Sequence, residues 1–198
     1  MEYVPFQLGH VLDCGDPVLD AIQRLRIMCD VAEGVQYLHE GVPSGIIVHG
    51  DIKPANVLIT AGLRAKLCDF GLAAVKQTVS SMTVSSIGGV GGTPNWCAPE
   101  MFQPNPKKRS PGDIWSLSLV LWELMLEQHV VPFQAMPAMI RQVMISPDFI
   151  PASHFPLAKN GMAVEESAEI EAFDQVHAFL VDRCWTVDPL PRARSAEV

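Results

Sequence analysis

From Ile114 to Met125 the chain reads "IWSLSLVLWELM", apolar or small throughout except for Glu123. Crossing a bilayer takes about 20 apolar residues, and this run is too short. It reads as a buried helix, because a helix that is apolar around its whole circumference has no face to offer water. A chain of 198 residues is long enough to surround it with one good-sized core, or one domain plus a fragment.

Hydrophobic residues make up 48% and charged residues 18%, with a net charge of −8. That balance fits a soluble globular fold and not a disordered chain. The acidic excess argues against nucleic acid or an anionic membrane as a partner, and the chain has no membrane segment. Lys107-Lys108-Arg109 sits in a Pro-rich loop and is expected to be solvated. The five cysteines (Cys14, Cys29, Cys68, Cys97, Cys184) are odd in number and form no CxxC pair. Free thiols in a reducing compartment fit that pattern better than disulfides or zinc. Glu2 and Tyr3 stand where a signal peptide would place basic residues. A cytoplasmic setting is expected, although missing regions of a longer protein could anchor it to a membrane.

Asp16-Pro17 reads as a helix start, followed by a stripe at Ile22, Leu25, Met28, Ala32, Val35 and Leu38 that ends near His39. Two strands, Val57–Thr60 and Ala65–Cys68, should meet at a turn over Ala61-Gly62. Residues 72–92 are rich in Ser, Thr and Gly and read as a long loop, of the kind that tends to be functional. One helical turn is expected over Pro99–Gln103. A further stripe at Met136, Ile140 and Val143 precedes a loop over 146–162, and a last helix should run from Glu165 to Asp182. The result is one mainly α unit with a small β-hairpin element.

Between the apolar runs Ile46–Val48 and Val57–Ile59, a loop carries His49, Asp51, Lys53 and Asn56. After the next strand come Asp69-Phe70-Gly71, and further on Ala98-Pro99-Glu100. A loop Asp with an Asn five residues on, then Asp-Phe-Gly, then Ala-Pro-Glu, in this order and spacing, resembles the protein-kinase signature set. "GTPNWCAPE" resembles the kinase substrate-docking segment, with Trp96 where most carry Tyr. "GDIWSLSLVLWEL" resembles the central buried helix of the large lobe, and "CWTVDPLPR" its distal arginine segment. The likeness covers essentially the whole chain and points to a eukaryotic-type kinase domain of the serine/threonine type, tyrosine-kinase-like group.

The resemblance implies ATP and Mg²⁺ as cofactors and a protein hydroxyl as the acceptor. Asp51 and Lys53 would be catalytic, the acid orienting the hydroxyl and the lysine meeting the transferred phosphate. Asn56 and Asp69 would hold the metal. Lys53, Asn56, Asp69 and Leu58, an apolar floor for adenine, would contact the nucleotide. His49 and Phe70 resemble a stack between the two metal-side motifs. Asp113 would bond the loop backbone, or simply cap its helix. Glu100 and Arg192 resemble a structural ion pair. Gly88–Gly92 lacks nucleotide-loop spacing and belongs with the flexible segment.

Two departures stand out. Gly50 replaces the usual arginine that receives an activation-loop phosphate, so replacing the hydroxyls between Thr78 and Ser86 is expected to change activity little. No glycine-rich loop after a strand, strand lysine or partner glutamate is found anywhere. "MEYVP" resembles the kinase hinge, with Glu2 and Val4 offering backbone bonds to adenine. The expected organisation is therefore a partial kinase domain: hinge at 1–5, large lobe at 6–198 ending near the start of its last helix, and the small lobe missing. Such a chain is expected to be inactive alone. Two other readings are a small-molecule phosphotransferase of the aminoglycoside type, which lacks a docking segment, and a non-catalytic pseudokinase scaffold.

Overall fold

A computed structural model describes residues 4, 6–43, 45–70, 74–75, 93–103, 106–126, 167–186 and 188–198. The elements are β1 (Phe6–Gln7), α1 (Leu8–Cys14), α2 (Ala21–Gln36, continued by a π-helical turn over Tyr37–Gly41), β2 (Ile47–Val48), β3 (Val57–Ile59), β4 (Ala65–Leu67), β5 (Ala74–Val75), α3 (Ser110–Leu126) and α4 (Ser167–Phe179, continued by a π-helical turn over Leu180–Cys184). Short 3₁₀ turns cover Pro54–Asn56, Pro94–Trp96, Pro99–Phe102 and Ser195–Glu197.

The apolar run becomes α3, and its residues 113–125 are all buried. Trp115, Leu117, Leu119 and Leu124 anchor one core that also takes Ile27, Val31 and Val35 from α2 and Trp185 after α4. Trp122 and Trp185 meet edge to face, 5.2 Å between ring centroids, a favoured aromatic geometry. The last carbonyls of a helix have no partner within it. Here the buried Arg24 of α2 donates to the carbonyl of Met125 at 3.2 Å and so closes the end of α3.

Helix α2 begins four residues later than its sequence suggests. Asp20, not Asp16, is the cap: its carboxylate accepts from the Gln23 N–H at 2.7 Å, while the Gln23 amide oxygen accepts from the Asp20 N–H at 2.9 Å. This reciprocal box satisfies two otherwise unpaired donors; Asp16-Pro17, a cis peptide, lies in the preceding turn. Met28, Val35 and Leu38 of the expected stripe are buried. Ile27 and Val31 are core, and Ile22 is exposed.

The hairpin β3–β4 forms as expected and gains β1 on its other side, giving the order β1-β3-β4, all antiparallel. Val57 and Ile59 point into the core, so the strand's two-residue period sends Leu58 to the opposite face, beside Gln7 and Lys66. Asp30 of α2 fastens the hairpin, accepting two bonds from Arg64 Nε and Nη2 (2.8 and 2.6 Å) and one from the Ala65 N–H (2.8 Å). Part of the expected long loop is a strand, because Ala74–Val75 pairs antiparallel with Ile47–Val48. The rest of 72–92 up to residue 92, the Met136–Val143 stripe and the 146–162 loop lie outside the described residues.

Cys97 and Cys184 are buried, and burial pushes both thiols up to about 12. Cys14 and Cys29 are exposed. Since the thiolate is the nucleophile, brief iodoacetamide treatment of the folded protein at neutral pH should modify Cys14 and Cys29 and spare Cys97 and Cys184. Peptide mass spectrometry reads this directly. Equal labelling of Cys97 would contradict its burial.

Candidate active site

The loop between β2 and β3 is held from beneath by Asp113 in the first turn of α3. Its Oδ2 accepts the His49 N–H at 2.8 Å and the His39 Nε2–H at 2.9 Å, and its Oδ1 accepts the Gly50 N–H at 2.8 Å. Helix α3 starts at Ser110, so Asp113 binds the loop and does not cap its own helix. A buried carboxylate is tolerated only when its oxygens are paired, and three donors meet that condition. His49 is fully buried; its Nδ1 accepts from the Asp51 N–H (3.3 Å) and its Nε2–H donates to the Cys68 carbonyl (3.0 Å). Its ring lies 5.3 Å from that of Phe70, tilted by 48°, which is the stack expected between the two motifs.

Asp51 collects four donors. Oδ1 accepts the Thr93 N–H (2.9 Å) and the Thr93 hydroxyl (3.1 Å), while Oδ2 accepts from Asn56 Nδ2 (3.2 Å) and pairs with Lys53 Nζ (2.8 Å). Lys53 Nζ also donates to Thr93 Oγ1 at 2.6 Å, closing a triangle of acid, ammonium and hydroxyl. Burial pushes the Asp51 carboxyl up, but the bonds from Lys53 and Thr93 and the Lys53 charge hold it below the usual carboxylate range. It is therefore ionised at neutral pH.

Asn56 is buried, and its Nδ2 also donates to the Asp51 carbonyl at 2.8 Å. The amide nitrogen is thus turned to Asp51, which leaves the amide oxygen as the atom that could meet a cation. The Cys68 N–H donates to the Asn56 carbonyl at 3.0 Å, joining the strand that ends in Asp69 to this loop. Asp69 has φ +61°, left-handed backbone that aspartate adopts more readily than most non-glycine residues. Among the described residues no three His, Cys, Asp or Glu side chains form a metal cage. Mg²⁺ asks for less: hard oxygens from one or two side chains, with phosphate and water completing the shell. Asn56 and Asp69 fit that demand. Val4 is described and half-buried; Glu2 lies outside the described residues.

The Thr93–Glu100 segment, which resembles a docking segment, is fixed to α3 at two points. Trp96 Nε1–H donates to the buried Glu123 at 3.0 Å, and the Ser116 hydroxyl donates to the Trp96 carbonyl at 2.7 Å. Behind it, Glu100 and Arg192 make the expected pair, two parallel bonds of 2.7 and 2.8 Å. Arg192 also donates to the Thr186 and Pro111 carbonyls and lies over the Trp115 ring at 5.0 Å.

Three contributors escaped the sequence reading. Glu123 and Ser116 are hidden inside an apolar run, where single polar residues carry no positional signal. Lys108, expected to be solvated with its neighbours, is half-buried and donates to the Gly50 carbonyl at 3.0 Å. Lys107 and Arg109 are exposed, as expected.

Among the described residues, a mostly helical fold with few strands, a loop acid tied to Lys53 and Asn56, and a Thr93–Glu100 segment hung from a buried helix are consistent with the protein-kinase class. A family model of the protein kinase domain matches residues 1–198, and the chain belongs to that family. Among curated proteins it is similar to the dual specificity protein kinase shkC of Dictyostelium discoideum, 31% identical over 180 residues, covering 88% of this chain and 30% of that protein. It is also similar to the probable serine/threonine-protein kinase SIS8 of Arabidopsis thaliana, 32% identical over 187 residues, 91% of this chain and 15% of that protein. The dual specificity protein kinase shkA of Dictyostelium discoideum is 38% identical over 119 residues, 59% of this chain and 22% of that protein. The chain spans less than a third of the length of each of these relatives.

Proposed function

We propose that the chain forms the large lobe of a protein serine/threonine kinase, which moves the γ-phosphate of ATP to a hydroxyl of a protein substrate. The observation that carries this reading is the Asp51–Lys53–Thr93 triangle. An ionised, half-buried carboxylate can accept or orient the proton of an attacking hydroxyl. Lys53 brings a positive charge beside it, where the transferred phosphate would lie. Asn56 and Asp69 would hold Mg²⁺, which when bound neutralises charge on the phosphates. Leu58, on the face of β3 turned from the core, supports an apolar floor for adenine, and Glu2 and Val4 would pair with its edge. The docking segment, tied down through Trp96 and Glu100, favours a polypeptide acceptor over a small molecule. The five thiols fit an intracellular setting.

The sequence of residues 1–198 carries neither the motif of a kinase glycine-rich loop nor that of the strand lysine. Without them a nucleotide stays open to water and its ionic contacts are screened. The chain alone is expected to bind Mg·ATP weakly or not at all and to transfer no phosphate, whereas a form with a small lobe preceding residue 1 should phosphorylate serine and threonine peptides. Isothermal titration and a radiolabel assay test both forms. Micromolar binding by residues 1–198, or turnover that Asp51→Asn abolishes, would show that the large lobe suffices. Failure of the joined form to phosphorylate any peptide would remove the kinase reading.

Lys53→Met gives a finer check. It deletes the largest influence opposing burial at Asp51, so the carboxyl pKa should rise. Activity needs the ionised form, so the acid limb of the kcat/KM profile should move to higher pH. An unmoved limb would separate Lys53 from the ionisation of Asp51.

A further inference from the structure

The peptide that joins Gly50 to Asp51 is gripped at both of its polar atoms. Its N–H, belonging to Asp51, donates to His49 Nδ1 at 3.3 Å. Its carbonyl, belonging to Gly50, accepts from Lys108 Nζ at 3.0 Å. The preceding peptide is fixed as well, through the Gly50 N–H and Asp113. Lys108 comes from the segment just ahead of α3, so this bond ties two separate parts of the chain at the residue before the acid.

Gly50 is what admits the lysine. Its φ is +72°, and a Cβ placed there would stand 2.6 Å from Lys108 Cδ and 2.8 Å from Nζ. Contacts that close essentially never occur, so a side chain at position 50 would require the end of the lysine to shift from the place it holds here. Burial lowers the Lys108 pKa while the nearby Asp51 charge opposes the shift. Partial burial of an ammonium has a cost that a hydrogen bond offsets, and here the Gly50 carbonyl supplies that bond, whereas Lys107 is exposed.

We propose that Lys108 is a positioning residue for phosphotransfer: its ammonium holds the Gly50–Asp51 peptide in one orientation and thereby keeps the Asp51 carboxylate in register with an acceptor hydroxyl. The role rests on the reading of Asp51 as the carboxylate that receives the hydroxyl. Lys108 Nζ is engaged on the Gly50 carbonyl and acts through it, so its loss should misplace the acid without altering nucleotide capture. Misplacement of this kind is felt in the rate of the chemical step.

The test has two independent arms. In residues 1–198, the carbonyl ¹³C resonance of Gly50 is followed by NMR in wild type, Lys108→Met and Lys107→Met. Methionine keeps most of the apolar stem and removes the donor, so the resonance should move in Lys108→Met and stay in Lys107→Met. In a form with a small lobe preceding residue 1, Lys108→Met should lower kcat about tenfold with KM for ATP unchanged. Lys108→Arg, still a cationic donor, should recover most of that loss, and Lys107→Met should match wild type. A Lys108→Met protein with wild-type kcat, or with an unmoved Gly50 resonance, would overturn the proposal. If the resonance moves while Asp51→Asn remains fully active, the reading of Asp51 fails first and the positioning role falls with it.

Discussion

Asp51→Asn, made in a form with a small lobe preceding residue 1, is expected to lower kcat about a thousandfold, within the range a positioned proton acceptor contributes. Asparagine keeps the size of the side chain and can still accept from Thr93, so the loop should hold its shape. What it loses is the negative charge that Lys53 and Thr93 surround. The KM for ATP should stay near wild type, because Asp51 is assigned to the acceptor hydroxyl and not to the nucleotide. Asp69→Asn should behave differently, raising the Mg·ATP concentration needed for half-maximal rate. Steady-state kinetics on the two variants separates the roles. Comparable activity in wild type and Asp51→Asn would end the assignment.

Arg192→Ala is expected to cost about 3–5 kcal/mol of folding stability, the usual effect of breaking a buried pair from one side. The guanidinium has no solvent exposure, while Glu100 keeps 23%. Truncation would leave that carboxylate and the Thr186 and Pro111 carbonyls without their donor and strip the cation from the Trp115 face. Urea unfolding of residues 1–198, followed by tryptophan fluorescence, should show the midpoint falling with little change in slope. A loss under about 1 kcal/mol would mean that solvent already screens the pair, as at surface ion pairs.

The parts of the site that were legible in the sequence are those fixed by short, rigid spacing. Asp51 and Asn56 lie within one loop, and their separation survives folding because a single 3₁₀ turn connects them. Glu100 and Arg192 are 92 residues apart, and only likeness to a family could join them. Lys108 was not legible, because a lysine among basic neighbours looks solvated until the glycine opposite it is known to leave room. Helix α2 was placed four residues early because Asp16-Pro17 and Asp20 offer the same local cue; only the Gln23 partner distinguishes them. The two-residue strands β1, β2 and β5 are too short to show a period, and they exist through their tertiary partners.

Asp113, Ser116 and Glu123 are polar residues on the largely apolar α3, and they hold two parts of the site: Asp113 the acid-bearing loop, Ser116 and Glu123 the segment at Trp96. At about 100° per residue they fall within roughly 80° of one another around the axis, a single polar seam on a submerged rod. Along the axis Asp113 and Glu123 are about 15 Å apart. The gap between the loop that holds Asp51 and the segment that would seat a polypeptide is therefore graduated in helical rise, not in the lengths of the loops themselves. Those loops can vary in sequence, and even in size, while the seam keeps their anchor points at a constant interval. The least soluble stretch of the chain serves as its measuring scale.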